Sequence, residues 1–114
     1  MDNRALVQAV IDGILQGDIL GTFDKYYADD VVMSENGVEE RVGKAVNREY
    51  EEYFVNNYDF HGVTLGAVIV DGDKAAIEWT FDMAPKGGDR VLQKQVAVQT
   101  WKDGKIIRED FYHA

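Results

Sequence analysis

The hydrophobic periodicity of this chain changes only once, and that change divides it into a helical half and a strand half. Up to about Phe54, apolar residues recur at the 3.6-residue spacing of helices with one buried stripe. From Phe60 to the end they follow a period of two. Helices and strands segregated in this way predict an α+β fold, with the helices covering one concave face of an antiparallel sheet. Leu6, Val7, Val10, Ile11, Ile14 and Leu15 mark a first helix that Gly17 stops. Asp18 is placed to cap a second helix carrying Ile19, Leu20, Phe23, Tyr26 and Tyr27, and Asp29-Asp30 breaks its pattern. Val31-Val32-Met33 is short and β-prone, and Ser34-Glu35-Asn36-Gly37 has the composition of a turn with Asn or Gly in the left-handed region. A third helix is predicted after Gly43, with Val46, Tyr50, Tyr53 and Phe54 inward and Asn47, Arg48, Glu51 and Glu52 facing water.

The second half predicts a meander of about four long antiparallel strands. Val63–Val70 is β-rich, and Asp71-Gly72-Asp73 is a hairpin signal. Ala75, Ile77, Trp79, Phe81 and Met83 then alternate with polar or small residues. Pro85–Asp89 forms a looser turn, Val91–Lys102 a long strand, Lys102–Lys105 a tight turn, and Ile106–Tyr112 the last strand. No repeat or linker interrupts the pattern, and residues 1–114 are read as a single domain.

Composition narrows the partners. With 21 Asp+Glu against 12 Lys+Arg and a formal charge of -9, the chain repels phosphate backbones and anionic lipid, so nucleic acid and membrane surfaces are not expected partners. There is no cysteine, hence no disulfide, thiol nucleophile or thiolate metal site. No run approaches the ~20 apolar residues of a membrane span, and residues 1–30 hold no unbroken apolar signal core. The expectation is a soluble cytoplasmic protein.

The order helix, helix, short strand, helix and four-strand meander, with Tyr27-Ala28-Asp29-Asp30 after the second helix and Trp101-Lys102-Asp103-Gly104-Lys105-Ile106 before the last strand, resembles the nuclear transport factor 2-like superfamily. Within it, the chain is most similar to the SnoaL-like and ketosteroid isomerase-like branch. The resemblance implies a cone: three N-terminal helices packed on a curved, mainly antiparallel sheet that encloses a pocket. It also implies a hydrophobic small-molecule ligand, a homodimer formed through the outer sheet face, and chemistry that needs no cofactor or metal. Superposing the Tyr-Ala-Asp-Asp motif places the isomerase's general base at Glu35. The isomerase's two oxyanion donors, a tyrosine and a neutral aspartic acid, fall at Val10 and Ala97, neither of which can donate.

Other side chains could supply the missing groups. Strand alternation puts Gln95, Ala97, Gln99 and Trp101 on one face, so two carboxamides either enter the pocket, or face solvent or pair across strands. On the last strand, alternation with the resemblance sets Ile107, Glu109, Phe111 and His113 on the pocket wall. Glu109 and His113 would then join Glu35 as an acid/base set. The alternatives are that Glu109 pairs at the surface with Arg108 or Arg41, that His113 frays, and that Glu35 is a solvated turn residue. Tyr27, Tyr53, Phe54, Trp79, Phe81, Trp101 and Phe111 are the expected apolar walls for a planar or polycyclic ligand. The resulting expectation is an isomerase- or cyclase-like protein doing proton transfer on a hydrophobic carbonyl compound. The competing readings are a non-catalytic binding or dimerisation module of the same fold, and a hydrolase or dehydratase that would need Arg41, Asp82 or Asp110 to point inward.

Overall fold

A computed structural model describes residues 2–114. Helix α1 spans Asn3–Leu15 and starts where the Asp2 carboxylate accepts a hydrogen bond from the Ala5 amide, satisfying one of the free N–H groups of the first turn. Its apolar stripe buries Leu6, Val7, Val10 and Ile11. Gly17, at φ 83, turns the chain after it in a conformation that costs a glycine little. Helix α2, Ile19–Tyr26, is capped by Asp18, which accepts from Gly21 N–H. The two helices touch at Gly13, where an added Cβ would lie 2.1 Å from Thr22 Oγ1. Any larger residue at 13 would push the helical hairpin apart.

Strands β1 (Tyr27–Glu35) and β2 (Glu39–Val42) precede helix α3 (Lys44–Asn57), and β3 (Tyr58–Asp71), β4 (Lys74–Pro85), β5 (Val91–Lys102) and β6 (Lys105–His113) follow it. They form one six-stranded sheet in the order β2-β1-β6-β5-β4-β3. Every pairing is antiparallel except that of β1 with β6, which run parallel. Register irregularities in β3 between Phe60 and Gly62 and between Leu65 and Val68 act as bulges, which bend a strand and let the sheet curl into a cone. Val7, Val10, Ile11, Val31, Ile77 and Ile106 are almost wholly enclosed between the helices and the concave face. Each such aliphatic side chain contributes roughly 1.5–3 kcal/mol of burial.

The α+β cone expected from the sequence is present, with three corrections. First, β1 is a nine-residue strand that begins at Tyr27, whereas the sequence pattern assigns Tyr27 to the helix and only Val31–Met33 to a strand. The strand extends so far because it pairs on both sides, with β2 and with β6. Glu35 accordingly ends a strand, and the turn is Asn36-Gly37, both left-handed. Second, β2 has no counterpart in the sequence pattern: Glu39-Glu40-Arg41-Val42 is charged, lies at the sheet edge and carries no alternation. Third, Ile106 is the core residue at the start of β6 while Ile107 is only half-buried. The register shifts there, with Trp101 opposite Ile106 but Thr100 opposite Arg108, so Ile107 is the extra residue of a bulge.

Candidate active site

The helices and the concave face leave a cavity of about 450 Å³ between them. Phe23, Tyr27, Phe54, Trp79, Phe81 and Phe111 supply much of its apolar wall. Its main polar groups come from four elements: Glu35 on β1, Glu51 on α3, Gln95 on β5, and Glu109 and His113 on β6. Strand register orders the last three. Gln99 lies opposite Glu109, Ala97 opposite Phe111, and Gln95 opposite His113. One carboxyl is therefore set two strand pairs deeper than the amide and imidazole.

Glu109 is 2% exposed. One of its oxygens accepts from the Tyr27 hydroxyl and the other from Gln99 Nε2 at 2.9 Å. Gln99 is oriented in turn by Trp101, whose indole N–H donates to the Gln99 carbonyl oxygen at 3.0 Å. Burial pushes the Glu109 carboxyl from its ordinary 4.5 up to about 7, against the pull of its two donors. Burial and the adjacent Glu109 carboxyl also hold the Tyr27 phenol well above its usual range, so it stays a donor. Phe23 stacks on the Tyr27 ring with centroids 4.6 Å apart and fixes it.

Glu35 is held by the Arg41 guanidinium and the His113 imidazole. Arg41 Nη2 lies 3.0 Å from one oxygen and His113 Nε2 2.9 Å from the other. The Arg41 guanidinium also donates to Asn47 Oδ1 and lies 3.7 Å over the Tyr50 ring. His113 is tied through its backbone N–H to Asn36 Oδ1, and its Nδ1 sits 3.2 Å from the Ala114 carbonyl. Both imidazole nitrogens thus face oxygen acceptors, which suits the doubly protonated ring. The Glu35 contact accordingly raises the His113 pKa above its ordinary 6.5.

The sequence pattern turns Glu51 toward water, and the structure places it on the cavity wall. Helix α3 presents Asn47, Tyr50, Glu51, Phe54 and Val55 inward, a stripe at i, i+3, i+4, i+7 and i+8. Val46 and Tyr53, expected inward, are exposed. The polar identity of Asn47 and Glu51 hides the stripe. Asn47 is buried because its side chain binds the Arg41 and Gly43 carbonyls and so fastens β2 to the helix start. Burial, and after it the neighbouring Glu109 charge, push the Glu51 carboxyl to about 7 against the weaker pull of the Arg41 and Arg48 charges.

Among the expected ligand contacts, Tyr27, Phe54, Trp79, Phe81, Gln95 and Phe111 line the cavity together with Glu35, Glu109 and His113. Three others do not. Tyr53 is 61% exposed, while Gln99 and Trp101 are buried behind the wall, where they serve Glu109. Val10 and Ala97 lie in the core and line nothing. Asp82 pairs with Arg90, and Asp110 pairs with Arg108 and Ser34, away from the cavity. Among the described residues no cluster of His, Asp and Glu has the arrangement of a metal site, and no helix is long and apolar enough to cross a membrane.

A helix-covered cone with buried carboxyls in an apolar cavity defines the class of small pocket proteins built on the nuclear transport factor 2-like fold. The chain belongs to the SnoaL-like domain family, whose model matches residues 7–109. A candidate SnoaL-like polyketide cyclase from Mesorhizobium loti is 32% identical, with a TM-score of 0.89 over 98% of this chain and 99% of that one. A candidate polyketide cyclase from Pseudomonas putida shares the fold at 24% identity and a TM-score of 0.79, covering 100% of this chain and 92% of the other. An LEH-like epoxide hydrolase from M. tuberculosis does so at 23% identity and 0.78, covering 96% and 80%. No functionally curated relative matches at significant similarity.

Proposed function

We propose that this protein is a cofactor-independent isomerase- or cyclase-like enzyme that moves a proton on a hydrophobic, extended carbonyl compound. The observation that carries this reading is Glu109, a carboxyl enclosed in an apolar cavity, oriented by Tyr27 and Gln99 and brought to about 7 by burial. A general base is most effective when its pKa lies near the working pH. Glu35, the base expected from the resemblance, is neutralised from both sides by Arg41 and His113. In this account it holds His113 charged and in place, and Glu109 takes the base's role.

The carboxylate of Glu109 removes a proton from carbon, and the electron pair moves through the conjugated system to the carbonyl oxygen. Gln95, which lines the other end of the wall opposite His113, donates to that oxygen. Glu109 then returns the proton to a different carbon. A gap of four residues of strand, roughly 13 Å between Cα atoms, separates Glu109 from His113, the residue opposite Gln95. An extended conjugated ketone bridges it, whereas a two-carbon carbonyl compound does not. The related structure at 32% identity is named as a candidate polyketide cyclase, and that name supports a cyclase-like reading.

The test is solvent deuterium exchange into a panel of hydrophobic conjugated and polycyclic ketones, followed by proton NMR. At least one should exchange faster than in buffer, in proportion to protein concentration. If no member exchanges above the buffer rate while apolar compounds remain bound through dialysis, the protein is a binding module and the catalytic reading fails.

A further inference from the structure

We propose that the substrate carries a basic nitrogen, and that Glu51 is its counter-ion on the cavity wall. The inference rests on reading the cavity as the substrate site. Glu51 faces that cavity from α3 and, among the described residues, accepts no hydrogen bond. The enclosed carboxylates around it are engaged: Glu109 by Tyr27 and Gln99, Glu35 by Arg41 and His113. Glu39, also on the lining, is exposed to water. The nearby cations are engaged as well. Arg41 and His113 are spent on Glu35, and Arg48, on the outer side of the same helix, is held by Asp24 and Glu52.

None of these cations is therefore paired with Glu51, which has no hydrogen-bond or ion-pair partner among the described residues. Glu51 is half-buried, and a ligand that fills the cavity displaces the water its carboxylate would otherwise bind; a ligand ammonium replaces that water with both a countercharge and N–H donors. The surroundings suit a cation in a second way. Eight of the lining residues are aromatic, and electron-rich ring faces attract ammonium groups that have left water. An anionic ligand would meet the opposite conditions, with Glu51 and Glu109 repelling it. The substrate class is thus an extended apolar ketone bearing an amine, rather than a carboxylic acid or a phosphorylated compound.

The test compares two probes of equal shape, naphthylmethylamine and naphthylmethanol, by isothermal titration calorimetry at about pH 8, where both the amine and the Glu51 site can be charged. Wild-type protein should bind the amine roughly 10–100-fold more tightly than the alcohol, the worth of one charged hydrogen-bonded contact. Glu51→Gln should bring the ratio close to one without weakening the alcohol, and Glu51→Asp should restore part of the preference. If wild-type protein binds both probes equally, the amine subsite is overturned and the apolar-substrate reading stands. If it binds neither, both are overturned. A preference that persists in Glu51→Gln also overturns the assignment to Glu51.

Discussion

Glu109→Gln is expected to lower catalysed deuterium exchange by roughly 100–10,000-fold, the range contributed by a positioned acid/base group, while leaving circular dichroism and ligand binding unchanged. The substitution suits the site because Gln is isosteric with Glu and can still meet both neighbours. Its carbonyl oxygen can accept from Gln99, and its amide can donate to the Tyr27 oxygen, the two groups that bind Glu109 now. The variant resembles the protonated carboxyl, in which the Tyr27 O–H likewise gives up its acceptor, and it can neither take up nor release a proton. Glu35→Gln should behave differently, since Glu35 touches Arg41 and His113 and its loss alters the charge on the imidazole. Exchange in Glu109→Gln that matches wild type would remove Glu109 from the mechanism.

The same substitution is expected to stabilise the protein at neutral and alkaline pH. In the folded state Glu109 titrates near 7 rather than at its ordinary 4.5. Below about pH 4.5 the carboxyl is protonated in both folded and unfolded chains and contributes no pH dependence. Between about 4.5 and 7 the folded chain holds a proton that the unfolded chain has released, so stability falls as pH rises through this window. Above 7 the loss is complete, on the order of 3 kcal/mol for Glu109. Glu51, also raised to about 7, acts in the same direction. His113 does too, because its raised folded pKa gives stability that is present below its ordinary 6.5 and lost as pH climbs past the folded value. Urea unfolding at about pH 5 and about pH 8 should show wild type losing stability between the two and Glu109→Gln losing much less. At the higher pH the variant should be the more stable protein although it is the less active one. Parallel behaviour of the two proteins would mean that Glu109 carries no burial penalty.

How far the sequence can be read depends on whether a residue's chemistry agrees with its position. On β4, Ala75, Ile77, Trp79 and Met83 are apolar and buried, so period-two alternation identifies the inward face directly. Helix α1 is equally plain, because its buried stripe contains only Leu, Val and Ile. Reading fails where polar residues occupy inward positions. Asn47 and Glu51 turn the apparent face of α3 by about one residue, which sets Val46 and Tyr53 inward in their place. The usable signal is the spacing of Tyr50, Phe54 and Val55, which is helical and adjoins position 51.

The site is legible in outline through β6, where alternation sets Glu109, Phe111 and His113 on one side of the strand. What alternation cannot give is the partner of each group. The Arg41 contact to Glu35 depends on β2, an edge strand with no sequence signature, whose antiparallel pairing with β1 brings residues 35 and 41 together. The depth of Glu109 depends on Tyr27 belonging to the strand that runs parallel to β6, rather than to the preceding helix. Residue roles change for these reasons: the carboxyl aligned with the isomerase's base is the one with cationic partners, and the carboxyl buried opposite Gln99 is the one left to titrate near neutrality.

The most direct test of the account is a side-chain carboxyl carbon-13 NMR titration that follows Glu109 and Glu51 in the folded protein, assigned with Glu109→Gln and Glu51→Gln. The predicted result is a midpoint near 7 for each, the signature of carboxyls held out of water and poised to exchange protons at neutral pH. Midpoints near the ordinary 4.5 would describe two solvated carboxylates and would contradict the proposal that this cavity is built for acid/base chemistry.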